Sequence, residues 1–579
     1  MKPRVFLPAL LTGPLLWAAF FPLDLGPLAF VALVPWLTLV RAPISGKRLY
    51  FAGYLGGVAF FLPATQWFRV AHPMMYASWL FLAFVCPLFW VFALFLLRRV
   101  DRLKLVPLGI SVPVVWVALE YVRAHFPTGF PFLQHVGLYQ MIGFGWYFLG
   151  YTQHAVLPLI QVADLGGVYI VSFLVAAVNG TIAEWVLRST RVRSWLRWNE
   201  PMPPCPRPLR STIAVAGLAA AVVVYGIVKL DHPAFEPGPK VSALQASIGQ
   251  SDKDGNSDGL FERYEKLCLQ ASANGSDLVI WPETCYPLGW STIATGVDPA
   301  KVPPGATRAY HGDRAVIRYL ATGRTQAPIP NPLPPWRTNV LLGLTAHEWD
   351  GTREVPTNTA LLIDAEGNDI GRYDKMHLVP FGEYVPLRET FPWMQTFTPY
   401  EDDFSCRPGE TWTRFAMTAR DGRRFTFGCL ICYEDSDPYM ARQYVGSEPV
   451  SFLVNISNDG WFDGTEEHEE HLAICRFRAV EARRSIVRAV NMGISAVIDS
   501  DGRVIALPGP SWSGSKKMEG IVTAVVPIDA RTSWYARLGD WLPASCLVLL
   551  TMGHVLSMIR KPFKANPAPD GARLAGNEL

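Results

Sequence analysis

Charge is scarce in this chain: Asp, Glu, Lys and Arg make up 17% of its 579 residues, against about a quarter in ordinary soluble proteins. With 50% hydrophobic and 12% aromatic residues and a mean hydropathy of +0.18, that shortage excludes a wholly soluble protein. Charge of one sign is lacking too. The 52 basic and 49 acidic residues leave a net charge of +3, so no global field points to a nucleic-acid partner. Nine cysteines show no even, regular spacing, and Cys86 and Cys546 fall in apolar runs, which excludes a disulfide scaffold. Cys429 and Cys432 form a C-x-x-C, but no second C-x-x-C or Cys/His pair at ligand spacing completes a zinc site, so no metal is expected. No small-residue cleavage site follows the first apolar run, which disfavours a removed signal peptide. Internal repeats are also missing.

What the chain does have is long charge-poor runs, at about Val5 to Phe21, Leu25 to Val40, Leu49 to Phe68, Met74 to Leu97, Leu105 to Leu119, Leu165 to Ala183, Thr212 to Val228 and Leu542 to Ile559. Several reach or approach the roughly 20 residues that cross a bilayer as helix, so about eight transmembrane helices are expected. Lys and Arg are retained on the cytoplasmic side. Alternate loops carry them: Arg41, Lys47 and Arg48; Arg98, Arg99, Arg102 and Lys104; Arg188 to Arg210; then Arg560, Lys561 and Lys564. Both termini are therefore expected in the cytoplasm, with the polar segment across the membrane. The expected organisation is seven spans in residues 1–230, an outer domain over 231–540, and a last span with a tail over 541–579.

The outer segment reads as α/β. Strands are expected at Val241 to Ile248, Leu278 to Trp281, Val340 to Thr345, Ala360 to Ile363, Phe425 to Cys432, Val450 to Ile456, Ile486 to Ile498 and Ile521 to Ile528, all rich in β-branched residues. Helical stripes lie between them, one through Leu260, Phe261, Tyr264, Leu267 and Cys268, another through Leu472, Cys475, Phe477 and Val480. That alternation favours layered sheets with helices outside. The stretch from Ile293 to Trp336, rich in Pro, Gly and Thr around one short helical piece at His311 to Thr322, reads as a disordered insertion, or less commonly as an active-site lid or membrane-contacting loop.

Three polar clusters end apolar strands. Trp281-Pro282-Glu283-Thr284 follows the first, and a glutamate there sits where α/β proteins build sites, although alone it reads as a solvated turn. In Tyr373 to Pro386, prolines, a glycine and aromatic residues frame Lys375, His377 and Glu383; burial in that setting perturbs pKa values. The third cluster holds the C-x-x-C, but on a continuous strand rather than at a helix start, where redox pairs sit. Residues three apart on a strand face opposite ways. Cys429 reads as buried packing and Cys432 as an exposed nucleophile on a strand-to-helix turn, with the next backbone N–H free for an oxyanion.

Glu283, Lys375 and Cys432, in that order and each at a strand end, resemble the Glu-Lys-Cys triad of the nitrilase superfamily. Nearly the whole chain resembles its membrane-embedded branch, the bacterial apolipoprotein N-acyltransferases, through WPET at 281–284, KMHLVPFGEYVPLR at 375–388, ICYED at 431–435, NISNDGWF at 455–462, GFPFLQ at 129–134 and GVYIVSF at 167–173. The resemblance implies a helix bundle carrying an αββα sandwich on the periplasmic side of the inner membrane. It implies transfer of an acyl chain from a phospholipid, through a Cys432 thioester, to the terminal amine of a diacylglyceryl-cysteine apolipoprotein, without cofactor. Glu283 is then the general base, Lys375 and the Tyr433 N–H hold the oxyanion, and Lys375 lowers the thiol pKa below its free value of about 8.5. Glu383 and Glu434 position Lys375 and the loops. The chain departs from the family where a tryptophan usually follows the first strand (Gln245 to Lys253), where His468-Glu469-Glu470-His471 replaces a Gly-Pro before Gln-His, and in the length of its insertion.

Two other readings compete. A membrane-tethered amidase or nitrile hydrolase uses the same triad with water as acceptor. A transporter or scaffold would bury ionisable residues in its spans, and Glu120 and Asp164, near span ends, give that little support.

Overall fold

The computed structural model describes residues 3–136, 140–198, 208–231, 235–255, 257–324, 333–388, 390–398 and 404–559. Arg207 and the basic tail residues Arg560, Lys561 and Lys564 lie outside them.

Each apolar run is helical, but not each is one long helix. Among the described residues, four helices are long and apolar enough to cross a membrane: Met75–Arg102, Val168–Arg188, Pro208–Asp231 and Trp541–Ile559. The first run gives only Phe6–Trp17, twelve residues and about 18 Å of helix at 1.5 Å per residue, short of a bilayer core of about 30 Å. The second breaks into short turns, Gly26–Leu28, Ala29–Ala32, Val34–Leu37 and Thr38–Arg41, with Pro27 and Pro35 starting two of them. Proline lacks the N–H that a helix interior needs. Lys47–Ala64 and Leu108–His125 complete a bundle whose core is filled by Trp36, Trp90, Trp116, Phe60 and Tyr169.

The outer part contains thirteen strands among the described residues. One sheet holds β1 (Phe235–Gln245), β2 (Leu278–Ile280), β3 (Tyr286–Ile293), β4 (Asn339–Trp349), β5 (Glu354–Ile363), β6 (Asp369–Asp374) and β13 (Gly520–Asp529), in the order β13-β1-β2-β4-β5-β6 with β3 against β4. The other holds β7 (Arg414–Thr418), β8 (Arg424–Ile431), β9 (Phe452–Ser457), β10 (Ile486–Val490), β11 (Ala496–Ile498) and β12 (Val504–Ala506), in the order β12-β11-β10-β9-β8-β7. Side chains alternate across a strand, and the cores follow that alternation. Cys429 and Ile431 of β8 point between the sheets with Ile280, Leu341 and Tyr373, while Leu430 points outward. Helices Ser257–Ala273 and Pro304–Thr322 cover the first sheet. Pro438–Arg442 and Glu467–Ala482 cover the second, which completes four layers.

Two expectations change. Ile486 to Ile498 is a hairpin of two antiparallel strands, turned at Gly493 with φ of 150°. The supposed disordered insertion contains a 19-residue helix, Pro304–Thr322, whose Ile317 and Leu320 pack with Trp336 against the outer layer; residues 325–332 of that insertion lie outside the described set. Apolar residues at helical spacing were present there, obscured by the flanking prolines.

Helix Glu467–Ala482 joins the two parts. Its Ile474, Phe477 and Val480 belong to the bundle core, and its Leu472, Cys475 and Ala479 to the outer layer of the second sheet. Polar ties flank it: Glu470 Oε1 accepts the Phe21 N–H at 2.9 Å, Glu481 Oε1 accepts that of Val168 at 2.6 Å, and Arg483 pairs with Asp164 at 2.8 Å. Asp164 is thus a joint between bundle and sheet rather than a free carboxylate in a transport path.

Candidate active site

Glu283 follows β2, Lys375 follows β6 and Cys432 follows β8, so the twist and pairing of two facing sheets bring together three residues far apart in sequence. The WPET turn lies tightly across β4: a Cβ on Gly343 would come 2.1 Å from the Pro282 carbonyl oxygen, which only glycine avoids. Cys432 occupies the left-handed region with φ of 56°, costly for a non-glycine residue. It opens the short turn Cys432–Ser436.

Lys375, 1% exposed at its side chain, contacts Glu283 Oε1 at 3.0 Å and Glu383 Oε2 at 2.9 Å. Asn358 of β5 bridges the same two carboxylates, its Nδ2 donating at 2.7 Å to Oε1 of each. The second oxygen of Glu283 accepts the Asn458 N–H at 3.0 Å, and that of Glu383 accepts the Val379 N–H at 2.8 Å. Glu434 gathers the loops: it accepts N–H groups of Met376 at 2.8 Å, His377 at 3.1 Å and Ile431 at 2.7 Å, and the Tyr373 hydroxyl at 3.0 Å. The Tyr433 hydroxyl donates to the Leu378 carbonyl at 2.8 Å, and its ring lies 5.7 Å below the Lys375 ammonium.

Burial alone would raise the Glu283 carboxyl, but the Lys375 ammonium, with hydrogen bonds from Lys375 and Asn358, more than offsets it and holds it below the usual carboxylate range. Burial works against the Lys375 charge; Glu283 and Glu383 override it and keep the ammonium firmly protonated. Burial, then the Glu283 charge, pushes the Cys432 thiol up to about 12, with Lys375 pulling the other way. This corrects the expectation of a depressed thiol. Lysine does stabilise a thiolate here, yet desolvation exceeds it, so the resting pair is thiol and carboxylate. Burial likewise pushes Glu434 up to about 7. Cys429 is fully buried between the sheets, its thiol pushed well above the ordinary range by burial.

All six residues singled out in the sequence converge here. His377 lies beside them, buried and 3.6 Å from Asp437. Sequence reasoning missed Asn358, which ends no strand and carries no local motif. It also missed Lys253, whose ammonium donates to the Glu283 carbonyl at 3.1 Å and to Thr284 Oγ1 at 2.6 Å, and Gln140. The Gln140 amide accepts from Leu378 N–H at 2.9 Å and donates to the Met376 carbonyl at 2.8 Å, linking the loop after Lys375 to the bundle side. Asn458 was visible, within NISNDGWF.

Residues 12–181 match the family model "Apolipoprotein N-acyltransferase N-terminal domain", and residues 240–536 match "Carbon-nitrogen hydrolase". Among solved structures, an amidase from Nesterenkonia sp. aligns with 53% of this chain and 95% of its own at 16% identity and a TM-score of 0.33. Among curated proteins, the apolipoprotein N-acyltransferase of Rhodopirellula baltica is 28% identical over 93% of this chain and 94% of its own length. That of Geobacter metallireducens is 31% identical over 574 residues, 96% of either chain. That match spans the bundle and the paired sheets alike, and on that ground the chain is an enzyme of the apolipoprotein N-acyltransferase family.

Proposed function

We propose that Cys432 is the acyl-carrying nucleophile, Glu283 its general base and Lys375 its oxyanion-stabilising cation, in a ping-pong transfer from a phospholipid to the N-terminal amine of a diacylglyceryl-cysteine apolipoprotein. The observation that carries this is the buried carboxylate-ammonium cluster, which holds Glu283 ionised beside a protonated thiol. Glu283 takes the thiol proton as Sγ attacks the ester carbonyl. The tetrahedral oxyanion meets the Tyr433 N–H and Lys375. An ammonium has three donors; Glu283 and Glu383 engage two, and the third serves the oxyanion. Glu283 returns its proton to the departing lysophospholipid oxygen, leaving the thioester. In the second half the amine attacks the thioester carbon, Glu283 removes the ammonium proton, the C–S bond breaks, and the thiolate recovers the proton as the amide forms. Glu383, Asn358 and Glu434 position these groups.

The bundle fits a lipid donor, since a hydrolase of small amides has no need of one. In this reading residues 1–230 supply seven membrane passes, 231–540 the periplasmic catalytic domain and 541–579 the last pass and a cytoplasmic tail, in the bacterial inner membrane; the basic loops support that sidedness. The shorter helices reach across by recruiting flanking residues.

Incubation of the purified protein with phospholipid, followed by intact-mass measurement, tests the proposal. One acyl mass is expected, labile to hydroxylamine, absent in Cys432→Ala, and discharged by a diacylated lipopeptide onto its amine. An acyl mass that survives in Cys432→Ala refutes the nucleophile, and discharge only to water refutes the transferase in favour of a hydrolase.

A further inference from the structure

Behind the reactive turn lies a second polar cluster that the transfer chemistry leaves unused. Glu467 and His471 are four residues apart on helix Glu467–Ala482 and so share one face, opposite Asp459 from the short turn after β9. We propose that Asp459, Glu467 and His471 form a binding site for one divalent transition-metal ion of the zinc or manganese class, holding the helix start to the turn after β9.

Geometry carries the proposal. His471 Nδ1 lies 3.2 Å from Asp459 Oδ1 and 3.4 Å from Glu467 Oε1, and the three donor atoms all fall within 4.8 Å of one another. Ligand atoms about 2.0 to 2.2 Å from a shared ion sit about 3 to 3.5 Å apart in tetrahedral or octahedral arrangements. The other ring nitrogen, Nε2, lies 2.8 Å from Asp435 Oδ1. With the hydrogen on Nε2, the Nδ1 lone pair is aimed at two carboxylates, and a carboxylate behind a histidine is the usual support for a metal-binding imidazole.

The cluster is incomplete by hydrogen bonds alone. Among the described residues neither His471 Nδ1 nor Glu467 Oε2 has a hydrogen-bond partner, although both side chains are only 2% exposed. Leaving such buried groups unpaired is costly. Charge points the same way. Of the carboxylates Asp435, Asp459 and Glu467, only the first two meet a guanidinium among the described residues: Arg488 takes Asp435 Oδ2 at 3.3 Å and Asp459 Oδ2 at 2.8 Å, while Asp459 Oδ1 accepts the Ser457 hydroxyl at 2.6 Å and faces His471 Nδ1 at 3.2 Å. His468 is not a ligand: its Nε2 accepts the Gly464 N–H at 2.7 Å, which places its own hydrogen on Nδ1, 3.7 Å from Glu467 Oε2 and 3.9 Å from Asp459 Oδ2. One imidazole and two carboxylates without a thiolate select a borderline or hard ion. The spacing rule that excluded zinc at the cysteines was blind to this set, because Asp459 stands outside the helix.

The test uses the full chain in detergent, stripped with EDTA, then dialysed against ZnCl2 or MnCl2 and back into chelator-treated buffer. About one equivalent retained per chain is expected, with Tm raised by several degrees and lowered again by EDTA, since an ion bound only by the fold stabilises it. Glu467→Gln should lose both the ion and the shift. Asp463→Asn, at an exposed acid beside the cluster, should keep them. Wild-type protein that retains neither ion and shows no Tm shift overturns the proposal and leaves His471 held by a second proton. An ion retained equally by Glu467→Gln also overturns it, as does one lost in Asp463→Asn.

Discussion

The two facing sheets contribute unlike things to one site. The first, through the ends of β2 and β6 and the middle of β5, supplies Glu283, Lys375 and Asn358, a charged set closed on itself by hydrogen bonds. The second supplies Cys432, a single polarisable group on a backbone turn with positive φ, braced by Glu434. One sheet holds charge, therefore, and the other holds shape. A buried charge cluster is expensive to unpair, whereas a thiol can be replaced with little structural penalty, so chemistry and stability should separate between the sheets.

Removal of the proposed nucleophile should give the largest loss of activity. Cys432→Ala is expected to lower turnover at least about 10³-fold while Tm stays near wild type, measured by lipopeptide acylation and thermal unfolding. Glu283→Gln should cost about 10² to 10⁴-fold in the acylation rate. Lys375→Met should lose activity and also stability, by about 3 to 5 kcal/mol, because Glu283 and Glu383 are then buried without their cation. If Cys432→Ala and Lys375→Met unfold at the same temperature, the charge-and-shape contrast fails.

Titration sharpens it further. Because Glu283 is among the groups pushing the Cys432 thiol up, its neutralisation in Glu283→Gln should make alkylation of Cys432 by iodoacetamide several-fold faster at pH 9, even as catalysis falls; slower alkylation would contradict the assigned electrostatics. The stability terms carry opposite signs. The lowered Glu283 carboxyl contributes above the ordinary carboxylate range, and that contribution disappears as pH falls through its folded value. The raised thiol favours the fold below the ordinary thiol range, and that contribution disappears as pH climbs towards about 12. The smallest effect belongs to Cys429→Ala: about 1 kcal/mol of stability from lost core packing, with the acyl-enzyme formed in full.

The ends of β2 and β8 were legible because the sequence marks them locally, an apolar run stopped by Pro282-Glu283 in one and by Cys432-Tyr433-Glu434 in the other, while Lys375 was legible from its own Pro- and Gly-framed loop. Strands β3, β6, β7 and β12 were not. Polar or short, as in Asp369–Asp374 and Val504–Ala506, they owe their state to neighbouring strands. Asn358 looks like any polar residue in a strand until β5 is laid beside the WPET turn. Eight apolar runs were correctly seen as helical, yet composition does not say where Pro27 and Pro35 break one into turns. The thiol misled for another reason: its lysine was visible in the sequence, and its desolvation was not.

Helix Glu467–Ala482 is walled in on both sides, by the bundle core and by the second sheet, and pinned through Arg483 and Glu481 to the bundle side. A body joined that way is stiff across its middle, since any swing of the sheets would tear packed side chains from both cores at once. Traffic of a lipid tail and a lipopeptide past Cys432 must then be managed by the loops, with the frame as a fixed anvil and the segment tethered by Gln140 as the working edge.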